Sequence, residues 1–209
     1  MTKTAGCCGD LSLQLTSNQR NWSVFFAAVL LPAGAAVIYL ITAGISEESI
    51  LVVLTLTARL AFLVYLVVFI ARPLRQLFAT PLTTAVLKNR RLIGVAFAGI
   101  HTAHLGFIFY RAEQAPDFEF PVLANLPGAL TYGLIYLMFI TSFDVTARAL
   151  GPQAWRRLHR TGLYWIGFIF LATLLPESLD NLADVNWWLV GLTAAAIVIR
   201  LTAYYAKRR

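Results

Sequence analysis

Three histidines and one arginine stand out in this chain because of the residues around them. His101 and His104 lie in a long apolar run, three residues apart, so a helix there carries both imidazoles on one face. Arg59 lies nine residues into another apolar run, roughly 13 Å from its nearer end by helical rise. A charge at that depth in hydrocarbon costs roughly 2.5 to 3.5 kcal/mol or more, so each such group asks for a partner. No acidic residue falls inside any of the apolar runs, which makes a bound anionic group the expected partner of Arg59, with water or backbone carbonyls as the alternative. Two imidazoles and a guanidinium at similar depth form a set that can ligate iron and neutralise a propionate. His159 is placed differently, in WRRLHRTG among Arg156, Arg157 and Arg160 at the start of another run. Taken alone, it reads as an interfacial histidine in a basic stripe facing anionic lipid headgroups.

The elements that must position these groups follow from composition. With 59% hydrophobic and 13% charged residues in 209, the chain has more apolar surface than a soluble core of this size can hide. A bilayer is therefore part of its solvent. Crossing about 30 Å of hydrocarbon takes roughly 20 mainly apolar residues, which predicts spans at Trp22 to Ile45, Ile50 to Ala71, Leu92 to Tyr110, Pro127 to Phe143, His159 to Leu175 and Trp187 to Tyr205. The fifth starts in the headgroup region, since its strictly apolar stretch begins at Leu163 and ends at Pro176 and Glu177. The expected fold is all-α, a polytopic six-transmembrane-helix bundle.

Loop charge orients it. Arg72, Arg75, Lys88, Arg90 and Arg91, then Arg148, Arg156, Arg157 and Arg160, then Lys207 to Arg209 occupy alternate connections and the end, and by the positive-inside rule they face the cytoplasm. Glu47 and Glu48, then Arg111 with Glu113, Asp117 and Glu119, then Glu177, Asp180 and Asp184 face outward. Both termini are thus expected inside, with residues 1–21 as a cytoplasmic tail and 22–209 as one transmembrane domain. The tail lacks the apolar stretch of a signal peptide, so the first span is expected to be retained. Cys7 and Cys8, on the reducing side, read as solvated thiols rather than a disulfide or metal site. The net charge of +7 is a topology signal, not a nucleic-acid footprint.

Gly94, Ala96, Ala98, Gly99, Ala103 and Gly106 line the third span, where small residues let either a neighbouring helix or a flat macrocycle come close. There is no GxGxxG after a strand, no P-loop and no extramembrane segment long enough for a nucleotide-binding fold. Reducing equivalents, if the chain uses them, come from another molecule.

Three stretches then carry a resemblance: RRLIGVAFAGIHTAHL (Arg90 to Leu105), TSFDVTARALGPQAWRRLHRTG (Thr141 to Gly162) and TARLAFLVYLVVFIARPLRQL (Thr57 to Leu77). They are similar to the ferric reductase-like transmembrane domain family, which includes NADPH oxidases, ferric reductases and the haem-binding membrane subunit of the bacterial periplasmic methionine sulfoxide reductase system. The likeness covers about residues 25 to 205. It implies a six-helix bundle in which histidines on the third and fifth helices hold b-type haem and electrons cross the membrane. Position by position, His104 matches the third-helix ligand, with His101 one turn earlier as a second candidate. His159 matches the inner ligand of the fifth helix, and Arg59 the second-helix arginine of the sulfoxide reductase subunit. The family's second fifth-helix histidine, about thirteen residues on, falls here at Ala172. His159 and His104 also differ in depth by roughly 10 to 15 Å, so one haem b with an incomplete axial set, or none, is expected rather than two.

The resemblance implies a haem b electron-transfer subunit in a bacterial inner membrane, with a separate donor (reductase, flavoprotein or quinone) and an outward acceptor. The lipid bilayer is its other partner, and nucleic acid is not one. A haem-free bundle acting as assembly partner or small-solute carrier, with Arg59 as anion site, is the alternative. Direct metal-ion reduction beside Glu113, Asp117 and Glu119 is a third reading, and a solvated loop explains those residues more simply.

Overall fold

A computed structural model describes residues 7–114, 122–180 and 187–207, and all regular structure among them is helical. The helices are α1 (Cys7–Ala43), α2 (Glu47–Leu77), α3 (Pro81–Lys88), α4 (Arg90–Gln114), α5 (Val122–Ile140), α6 (Asp144–Leu150), α7 (Pro152–Asp180) and α8 (Trp187–Ala206). Each expected span lies on one helix, overrunning it by at most three residues. Four helices are long and apolar enough to cross a bilayer: Ser17–Ala43 within α1, then α2, α4 and α8. Residues Asn125–Ile140 with α6, bent by 107° at the break between them, pass the same test only as a pair, as a broken span or a re-entrant loop. α7 has the length, but its arginine-rich first turns dilute its apolarity, and its helix runs on through Pro176 to Asp180. The expected tail and first span share one helix, α1 being continuous across residue 21. Asp117, Glu119 and Asp184, expected in outward loops, lie outside the described residues.

The exterior is apolar, with Leu31 73% and Ile41 75% exposed, which is the pattern of a surface solvated by lipid rather than water. Alanines, aromatics and branched aliphatics fill the interior, among them Ala61, Phe62, Tyr65, Val95, Phe97 and Ile166. α4 sits at the centre, against α1 on one side and α2 on the other, while α8 packs on α2 and α5 pairs with α7. The α1–α4 approach depends on Gly99, where a Cβ would come 2.6 Å from the Phe25 carbonyl oxygen and 2.8 Å from Ala28 Cβ. At Gly99, the small-residue stripe serves helix packing.

Ion pairs tie both ends of α4. Arg91 meets Asp144 of α6 at 2.5 Å, and Arg111 meets Glu47 of α2 at 3.1 Å. α2 begins in a capping box in which Ser46 Oγ accepts from Ser49 N and Ser49 Oγ accepts from Ser46 N. Glu47 and Glu48 follow in the first turn, where carboxylates complement the helix dipole. α2 and α4 therefore lie side by side with fixed ends, and the residues midway along them face one another.

Candidate functional site: the histidine pair of α4

His101 and His104 project from the middle of α4 with ring centroids 6.1 Å apart. His104 is half-buried and its Nδ1 lies 2.8 Å from Thr57 Oγ1 on α2. A threonine hydroxyl has one hydrogen to give, and in Thr57 it goes back along the helix to the Val53 carbonyl at 2.8 Å, with Leu54 O at 3.1 Å. With that hydrogen assigned to the helix carbonyl, Thr57 Oγ1 accepts from His104 and the ring's proton is assigned to Nδ1. Nε2 is left with its lone pair, the arrangement in which an outer hydrogen bond fixes the tautomer of a metal-binding imidazole.

His101 is 8% exposed, and its Nδ1 makes no hydrogen bond. Its ring is enclosed by Phe97 at 4.4 Å, Tyr132 of α5 at 5.8 Å and Phe170 of α7 at 5.9 Å. Buried polar atoms are nearly always satisfied, so an orphaned imidazole nitrogen in a dry aromatic wall is a feature to be explained.

That wall is the seam between two parts of the bundle. α7 reaches α2 and α4 through side chains more than through backbone. Phe170 touches Phe62 and Tyr65, each at 5.3 Å, and the Tyr65 hydroxyl donates to the Leu163 carbonyl at 2.9 Å. Gly167 leaves room for that hydroxyl against the α7 backbone, where a Cβ would collide with it.

His159 stands apart from this pair. Its Nε2 is 3.1 Å from Thr141 Oγ1, and Thr141 donates its own hydrogen to Leu137 O at 2.7 Å, so His159 Nε2 is the donor. Trp155 stacks on the ring at 4.1 Å and donates from Nε1 to Thr141 O at 2.9 Å. His159 thus clamps the start of α7 to the end of α5, close to the Arg91–Asp144 pair. His104 lies thirteen residues beyond Arg91, about 20 Å along α4 by helical rise.

Arg59 is half-buried and engaged with its surroundings. It follows Thr57 by two positions, about 200° around α2 at 100° per residue, so the backbone directs it away from the face that meets His104. Thr57 is the α2 residue at the histidines, and the apolar pattern alone could not pair it with a residue 47 positions away.

Arg200 also escaped the sequence reading, although it lies in the sixth expected span and the rule that singles out Arg59 applies equally. Its partners are visible only in three dimensions. Pro73 has no N–H to give to the carbonyl four residues earlier, that of Phe69. Arg200 Nη1 donates to this Phe69 oxygen at 2.7 Å and Nη2 to Tyr164 Oη at 2.8 Å, with the guanidinium 4.1 Å from the centre of the Phe69 ring.

Among the described residues no three His, Cys, Asp or Glu side chains gather as a metal site. A haem iron asks the protein for only one or two ligands, so the test of fit is the donor set. His104 Nε2 would supply one such donor, and His101 Nδ1 in the same wall has no hydrogen-bond partner. Arg59 leaves α2 on a face about 200° from Thr57. No family model matches the chain, and no curated protein or solved structure matches it.

Proposed function

We propose that the chain is a six-span membrane protein, both termini cytoplasmic, that holds one b-type haem at the α4 histidines and passes electrons outward across a bacterial inner membrane, as in the ferric reductase-like family it resembles. The observation that carries this reading is His104, with Nδ1 anchored by Thr57 and Nε2 uncommitted, beside the unsatisfied His101 in an aromatic seam. When bound, the haem supplies one-electron chemistry at its iron. The chain's own work is to present an imidazole of fixed tautomer and to exclude water with Phe97, Tyr132 and Phe170. Electrons enter from a separate reductase, flavoprotein or quinone and leave to an outward acceptor. The deciding measurement is the absorption spectrum of the detergent-purified protein before and after dithionite. A sharp reduced α-band of the b type is the expected result. A colourless protein from cells with ample haem would instead leave the haem-free bundle, an assembly partner or small-solute carrier, as the reading.

A further inference from the structure

The end of the bundle at which α2, α5 and α8 finish and α4 and α7 begin carries a groove that none of the foregoing uses. It measures about 470 Å³ and is lined by Asp144, Ala147, Arg148, Pro152, Trp155 and Arg156. We propose that this groove binds the headgroup of an anionic phospholipid.

The groove exists because α6 turns 107° away from α5 and lies across the bundle end, and because Gly151, at φ +77°, lets the chain double back into α7. Positive φ is strained for any other residue type, so the corner is built into the sequence. Trp155 forms a fixed wall, held by its hydrogen bond to Thr141 O and its stack on His159. Arg148 and Arg156 rise from the two sides, both exposed. The one carboxylate in the lining, Asp144, is paired with Arg91 at 2.5 Å, and two arginines stand against it in the lining. Val145 and Leu150, on the same short helix as Asp144, Ala147 and Arg148, are exposed and add apolar surface to it. Two guanidiniums over a tryptophan wall, with alkyl surface at the edge, match a phosphate carrying acyl chains better than a free anion, because only the lipid also covers the rim.

The test needs no haem and so stands or falls separately from the electron-transfer reading. The purified full-length chain is offered equal amounts of phosphatidylglycerol and phosphatidylcholine, and retained lipid is read by native mass spectrometry. One phosphatidylglycerol is retained in preference. The Arg148→Gln/Arg156→Gln pair weakens that retention about thirtyfold, the worth of two cationic contacts at a headgroup. Arg72→Gln/Arg75→Gln, at the same end but outside the groove, leaves it unchanged. Ala147→Phe, which fills the groove and keeps every charge, weakens it as well. The proposal is overturned if both lipids are retained equally, if the Arg72/Arg75 pair loses as much as the groove pair, if Ala147→Phe is without effect, or if inorganic phosphate alone displaces the lipid.

Discussion

At the scale of single residues, what separates the three histidines is the hydroxyl each one meets or lacks. Thr57 and Thr141 both spend their hydrogen on a helix carbonyl, so each becomes an acceptor and fixes a tautomer, but they fix opposite ones: His104 keeps Nε2 open and His159 keeps Nδ1. Thr57→Val keeps the shape and removes the acceptor, leaving a buried N–H that costs about 1 to 3 kcal/mol. Losing such an outer-shell partner typically weakens a metal site about 10- to 100-fold. Haem per mole of folded protein therefore falls in Thr57→Val, recovers in Thr57→Ser and falls less in Arg59→Leu, whose helical face is turned away. An Arg59→Leu protein poorer in haem than Thr57→Val would return the guanidinium to the site. The His101→Ala/His104→Ala double change abolishes haem, whereas His159→Ala retains most of it and lowers the melting temperature, since it opens the α5–α7 clamp. Haem quantitation and thermal unfolding on the same samples check both halves, and complete haem loss in His159→Ala would make His159 a principal ligand.

At the scale of elements, the bundle spends its polar side chains on the ends and breaks of helices. In α2, the carbonyl released by Pro73 is taken up by Arg200 of α8, and Arg90 Nε donates to the neighbouring Val68 carbonyl at 3.2 Å. Gln76 Nε2 ties the same stretch to Ala203 O at 2.7 Å. Proline in a membrane helix is tolerated when neighbours satisfy the freed backbone in this way. Arg200→Leu strips the Phe69 carbonyl of its donor and destabilises the bundle by about 1 to 3 kcal/mol. In a Pro73→Ala background the backbone N–H restored at that position can bond the same carbonyl within α2, so the Arg200→Leu change costs clearly less. Thermal unfolding of the four proteins of this cycle in detergent gives the coupling. Equal effects of Arg200→Leu in both backgrounds would show that the arginine serves Tyr164 and lipid instead of the proline break.

For the whole molecule, the topology is tested through its only two cysteines, Cys7 and Cys8, both in the N-terminal segment. A membrane-impermeant maleimide labels them in inverted vesicles and not in sealed right-side-out ones; labelling from the outer side would reverse the proposed orientation. Much of this plan was legible in the chain, because hydrocarbon imposes a local rule: about 20 apolar residues in a row become a helix whatever their neighbours do. Each expected span accordingly lies on a helix, although among the described residues only four helices, or five with the bent pair counted as one span, are long and apolar enough to cross a bilayer, and the spacing of His101 and His104 puts both on one face of α4. What hydropathy could not supply is whatever depends on rotation and contact between helices. The use of Gly99 against α1, the pairing of Thr57 with His104, the commitment of His159 to Thr141 and the docking of Arg200 on a proline break each join residues of different helices or their ends. Apolar content is nearly uniform around these helices, so periodicity carries little information about which side faces in. The hydrogen bonds that choose between faces form once the helices have packed.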